Sequence, residues 1–187
     1  MCTRQPRARG KSLLQAIAVV LLLALGTFAR ADDLKIAKAW KDVIADENVT
    51  ARRAIVRVLG RTGTEDNLFL VVGAMTDSDQ SVRQLARDTM RKNKGPAGFH
   101  ALERSLLDGN AWEIGLLLTR YTERKYVTFL CNDLRHKNAT VRSVSVFALS
   151  RQVAKQALPI IKTMEDDPVE GVRWEVMNAL KRYDSGK

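Results

Sequence analysis

The chain has 187 residues and a formal charge of +10, from 31 Lys and Arg against 21 Asp and Glu. Without Arg4, Arg7, Arg9, Lys11 and Arg30 the balance is 26 basic against 21 acidic side chains, a mildly basic surface that does not mark a dedicated nucleic-acid binder. Cys2 lies in that same stretch, so the remainder holds Cys131 alone, cannot close an internal disulfide and must be stabilised by packing.

Residues 1–31 read as a secretory signal peptide. Residues 1–11 are basic with no acid, 13–25 are apolar except for Gln15, and Ala29-Arg30-Ala31 supplies small residues for cleavage. The apolar run is short of the roughly 20 residues a membrane span needs, with retention as an anchor as the alternative. The expected mature chain is 32–187, in a periplasmic or extracellular compartment of bacterial type. Its length suffices for a single core.

In chain order, 34–45 is expected to be helical, with Ile36, Trp40, Val43 and Ile44 on one stripe. Asn48 caps a second helix whose inward positions are Ala51, Ile55, Val58 and Leu59, and Gly60 is expected to end it. The stretch 65–75 is apolar nearly all round, as a helix between neighbours would be. Asp79 caps the next, with Val82, Ala86 and Met90 facing inward. Gly95-Pro96 breaks the pattern. Helices at 97–107 and 111–121 follow, the latter with Ile114, Leu117, Leu118 and Tyr121 inward. Then come 125–134 with 139–151, and 154–164 with 169–183. Sustained period-two alternation is missing throughout, so the expected class is all-α.

The second helix of each pair repeats one figure. Val172-Arg173, Val141-Arg142, Val82-Arg83 and Ala51-Arg52 each follow a turn with a capping residue, at spacings of about 30 residues or twice that. Self-similarity at this period marks a solenoid. The expected architecture is a right-handed α-solenoid of about five helical hairpins, ten helices, with repeats near 34–61, 64–93, 96–121, 125–151 and 154–183.

Asp or Asn ahead of each second helix supplies a cap. Pro168 after Asp167 is expected at the first helical position, and Glu170 completes a capping-box spacing. Arg52, Arg83, Arg142 and Arg173 recur at one position and form a column; with Asp46, Asp77, Asp79 and Asp167 they are expected to tie neighbouring repeats together. The motif Asp-x-Asp-x-x-Val-Arg…Ala-Leu, matched best at Asp77–Met90 and Asp167–Leu180, resembles the short bacterial HEAT repeats related to phycobilin-lyase repeats. The resemblance extends over essentially all of 32–187. It departs in repeat four, where His136 replaces the first acid, and in repeat three, which lacks the arginine. Ankyrin and tetratricopeptide arrays have nearby periods, but their signatures do not occur.

Chemistry is sparse. His100 and His136 stand on different repeats without an evident carboxylate cluster, a poor metal site. Cys131 lies among Val127, Phe129, Leu130 and Leu134, which suggests a buried inert thiol. Asn48-Val49-Thr50 and Asn138-Ala139-Thr140 match a glycosylation acceptor, but both asparagines occupy capping positions. No catalytic, cofactor-binding or metal-binding residue is assigned.

Function in such arrays is expected on the concave face lined by the second helices. The outward positions are Arg53, Arg57 and Arg61 in repeat one, a basic stripe. Gln84, Asp88, Arg91 and Lys92 follow in repeat two, then Ser143, Phe147, Ser150 and Arg151 in repeat four. Repeat five contributes Trp174, Asn178, Lys181 and Arg182. Two exposed aromatics, Phe147 and Trp174, bordered by Arg151 and Arg182, would have the composition of an interface hot spot. The expected function is a non-enzymatic, monomeric interaction module for a protein partner. The alternatives are a HEAT-like enzyme or helper, as the resemblance to phycobilin lyases implies, and a binder of anionic polymers or membrane surface.

Overall fold

The computed structural model describes residues 48–107, 110–152 and 154–185. Among these residues the chain is all-helical, without a strand. The expected signal peptide over 1–31, the helix expected at 34–45, and Asp46 lie outside them.

Among the described residues nine α-helices follow in order: α1 Val49–Thr62, α2 Glu65–Gly73, α3 Gln80–Lys92, α4 Pro96–Arg104, α5 Ala111–Leu118, α6 Arg124–Asp133, α7 Ala139–Gln152, α8 Ala154–Lys162 and α9 Glu170–Ser185. Two 3-10 turns, Ala74–Thr76 and Ser105–Leu107, tighten the ends of α2 and α4 where continuous helix was expected. The second helices of the hairpins, α1, α3, α5, α7 and α9, form one layer. Within it α1 packs on α3, α5 on α7 and α7 on α9.

The caps fall where the sequence places them. Asn48 Oδ1 accepts from the N–H groups of Thr50 and Ala51, Asp79 Oδ1 from Ser81 and Val82, and Asn138 Oδ1 from Thr140. Two local expectations need correction. Helix α1 ends at Gly63, whose φ of 64° is the left-handed cap. Gly60 lies inside the helix, where an added Cβ would come within 2.1 Å of the Thr89 methyl of α3, so its role is close approach. Likewise Asp167 and Pro168 precede α9. Asp167 Oδ1 accepts the Val169 N–H at 2.9 Å, an Asx turn that aims the chain into the helix.

The arginine column is a ladder with a constant geometry. Arg83 Nη1 donates to the carbonyl of Asp77, Arg142 Nη1 to that of His136 and Arg173 Nη1 to that of Asp167, each six residues back in its own turn. The own-turn partner is therefore a backbone carbonyl. The acid gripped belongs to the next repeat. Arg52 chelates Asp77 through Nε and Nη2 at 2.9 Å each, and Arg142 chelates Asp167 at 2.7 and 2.8 Å. Both pairs are buried. The counterpart spacing from Arg83 leads to Asp108, outside the described residues.

Repeat three has no such rung. The N–H groups of Arg52, Arg83, Arg142 and Arg173 each donate to the carbonyl four residues back, at the helix start; the residue so placed in α5 is Ile114. The arginine absent there and the acid replaced by His136 are the two halves of one missing rung. That junction is held instead by apolar packing and by Gln152 donating to the Leu118 carbonyl. Arg87 and Glu113 form an ion pair between α3 and α5.

The core runs the length of the stack. Val82, Ala86 and Met90 of α3 are buried as expected, as are Ile114, Leu117, Leu118 and Tyr121. Phe99, Tyr121 and Tyr126 form an aromatic cluster in the middle, with centroids 4.8–5.5 Å apart. Gly98 is obligatory beside it, because a Cβ would lie 2.0 Å from the Asn93 carbonyl oxygen, the same oxygen that accepts the Tyr121 hydroxyl. In the middle of the second-helix layer α7 has neighbours on every side; from Val144 to Ser150 each side chain is buried.

Candidate functional site: a groove across three second helices

Helices α5, α7 and α9 enclose a groove of about 320 Å³. Phe147 lines it but is only 2 % exposed, which overturns the expectation that it presents itself on the surface. Its ring is covered by Trp112 of α5, with centroids 4.5 Å apart, and by the guanidinium groups of Arg151 and Arg182 at 4.4 and 5.9 Å. The exposed aromatic is Trp112, 55 % accessible. Gly115, one turn on, allows this closure, since a Cβ there would stand 3.2 Å from the Phe147 ring and 3.3 Å from Val144.

One carboxylate lies in the groove. Glu175 is 3 % exposed and burial pushes its carboxyl up; Arg182 opposes that shift, donating to it at 3.3 Å. Arg182 also donates to the Ser150 hydroxyl at 2.8 Å, so it spans α9 and α7. The groove thus combines aromatic walls, one buried acid and two guanidinium groups stacked on its inner ring.

The other expected contact residues are distributed differently. Trp174 is 57 % exposed but is not among the residues lining the groove, so the shared Phe147–Trp174 patch does not form. Ser150 is buried and Arg182 half-buried, whereas Arg151 is exposed. Arg57 and Arg61 are exposed as expected and Arg53 is half-buried. Trp112 stands two residues after the cap Asn110, the position of Thr50, Ser81 and Thr140 in the other repeats, which the count of outward positions from the Val-Arg pair does not include.

A second, polar cleft of about 560 Å³ opens near the missing rung. Both histidines line it, His100 from α4 and His136 from the turn before α7, together with Glu103 and Asp133. This convergence of the two histidines with Glu103 and Asp133 is not visible in their sequence spacing. His100 Nδ1 lies 3.1 Å from Glu103. Among the described residues no group of three or more potential ligands is arranged to hold a metal ion.

Burial, followed by the charge and hydrogen bond of Glu103, pushes Asp133 up to about 7. A carboxyl raised from 3.8 adds stability that is complete below about pH 4 and is lost as pH rises through about 7. Asp133→Asn is therefore expected to be more stable than the parent by about 1–3 kcal/mol at pH 8, and equally stable at pH 4. Urea melts across this range check it; parallel curves for the two proteins would remove the carboxyl from the cleft's energetics. Cys131 is half-buried with its thiol pushed up by burial, the reverse of an activated nucleophile.

A family model described as HEAT repeats matches residues 37–116. Over residues 37–116 the match supports a relation to HEAT repeats, in keeping with the paired helices described above. No curated protein matches. Among solved structures, human deoxyhypusine hydroxylase in complex with glycerol is 22% identical with a TM-score of 0.43, covering 95% of this chain and 70% of that one. An engineered protein is 14% identical with a TM-score of 0.41, covering 96% and 94%. No helix among the described residues is long and apolar enough to cross a membrane.

Proposed function

We propose that this protein is an exported, non-enzymatic scaffold that binds a protein partner on the concave face of its second helices. The observation that carries this reading is the groove in which Trp112 stands 55 % exposed over the buried Phe147. A large aromatic left in water beside an apolar groove is costly unless something covers it. The proposal includes cleavage of residues 1–31, a tenth helix over 34–45, a right-handed stack, a monomeric state and kinship with the short bacterial repeats of the phycobilin-lyase kind. A photo-crosslinking residue at position 112, expressed in the native host, should capture a discrete partner. The same residue at Arg135, which is exposed away from the groove, should not. Equal capture at both positions, or none at 112, contradicts the reading.

One observation favours a second reading, an enzyme or helper that acts on a bound cofactor: the convergence of His100, Glu103, Asp133 and His136 on one cleft. It requires a small ligand seen by native mass spectrometry on the parent and lost in the His100→Ala/Asp133→Ala double variant.

A further inference from the structure

We infer that the groove takes one apolar side chain of an extended acidic peptide, whose carboxylates then run along the C-terminal ends of the second helices. The inference rests on the scaffold reading above and names the chemistry of its partner.

Two independent features support it. The first is the groove itself, at about 320 Å³ the low end of the range for pockets that hold a ligand group. Its apolar wall, from Trp112 to Val172, accepts a hydrocarbon or aromatic side chain, and Arg151 stands exposed at its edge. A carboxylate next to the anchor would meet this guanidinium, held in place by the ring beneath it.

The second is charge. The last turns of α1, α3 and α7 carry Arg61, Arg91 with Lys92, and Arg151, and Arg120 follows directly on α5. Arg61, Arg91, Lys92, Arg120 and Arg151 are all exposed. Each cation is matched to the negative end of its own helix, which alone accounts for its presence but not for the row. Neighbouring helices pack about 8–10 Å apart, and an extended chain advances roughly 3.3 Å per residue, so one helix spacing equals about three peptide residues. Asp88, paired with Arg91 at 2.8 Å, is the acid that interrupts the row, and Lys92 adjoins it. The partner segment therefore has an apolar anchor followed by acidic residues at about every third position. A basic peptide would be repelled along the whole row.

The probe is a fluorescent peptide of about twelve residues with one leucine anchor and glutamates at three-residue intervals, read by polarisation against the full chain. Binding should weaken at least tenfold when the leucine becomes alanine, and at least tenfold with Trp112→Ala. It should also weaken at least tenfold with Arg120→Glu/Arg151→Glu, with melting curves confirming that both variants fold. The lysine version should not bind. Equal binding of the lysine peptide overturns the inference. So does equally tight binding of oligoglutamate, heparin or anionic vesicles that ignores Trp112→Ala, which would make the row a general polyanion surface. If the peptide fails while a crosslinker at position 112 still captures a protein, the acidic chemistry is wrong and the scaffold reading stands. Failure of both removes both.

Discussion

Replacing Arg142 with alanine is expected to destabilise the protein by about 3–5 kcal/mol, the cost of breaking a buried ion pair from one side. Asp167 would be left buried without the two hydrogen bonds it receives from Arg142, and the carbonyls of His136 and Lys137 would lose their donor at the same time. Arg57→Ala, on an exposed position of α1, should cost less than about 0.5 kcal/mol. Urea melts of the two variants and of Asp167→Ala separate these cases. Because both partners sit in one network, the double variant should be less harmful than the sum of the singles. Equal effects of Arg142→Ala and Arg57→Ala would mean the ladder carries no load.

The same pair contributes to the acid limb of the stability curve, as Asp77 does through Arg52. The hydrogen bond from Arg142 holds the Asp167 carboxyl below its ordinary range, against the opposing effect of burial. A depressed carboxyl contributes stability that is present above its unfolded pKa and is lost as pH falls through the folded one. Asp167 therefore weakens the protein in acid, opposite in sign to Asp133, which weakens it as pH rises.

Phe147→Ala is the second large effect, about 3–5 kcal/mol, because it empties a ring site closed by Trp112, Gly115 and Val144. Trp112→Ala and Trp174→Ala, each on a side chain more than half exposed, should cost about 1 kcal/mol or less. Denaturation midpoints check the contrast. A Phe147 variant as stable as the Trp174 variant would show that the ring packs loosely and that α7 is not sandwiched. Trp112→Ala is thus the variant in which contact can be tested without loss of fold.

Much of the local structure was legible because it depends on neighbours in sequence. A cap needs one acceptor two or three residues ahead of free N–H groups, so Asn48, Asp79 and Asn138 could be assigned from position alone. Helix α3 has one buried stripe, and Val82, Ala86 and Met90 follow from its period. The recurrence of Arg52, Arg83, Arg142 and Arg173 likewise identified a column, since equal repeats place equal positions side by side. Which oxygen each arginine meets was not legible. The acid of the next repeat lies 25 residues on, and only the stacking of turns shows that Arg142 reaches Asp167 while its own-turn contacts are carbonyls.

The groove was decided by tertiary structure. Periodicity treats a helix as having one inward face, but α7 is packed by α5, α6, α8 and α9, so burial overrides the pattern at Phe147 and Ser150. The exposed ring then comes from a different helix, in the repeat whose register had lost its marker. His100 and His136 are brought together for the same reason. They are far apart in sequence, and no local rule couples them; α4, the end of α6 and the turn before α7 line one cleft between them. By itself, the sequence determined the helices, their caps and the repeat that stacks them. Which side chains the stack leaves open to a partner depended on contacts between repeats, where burial is set by the neighbours rather than by the period.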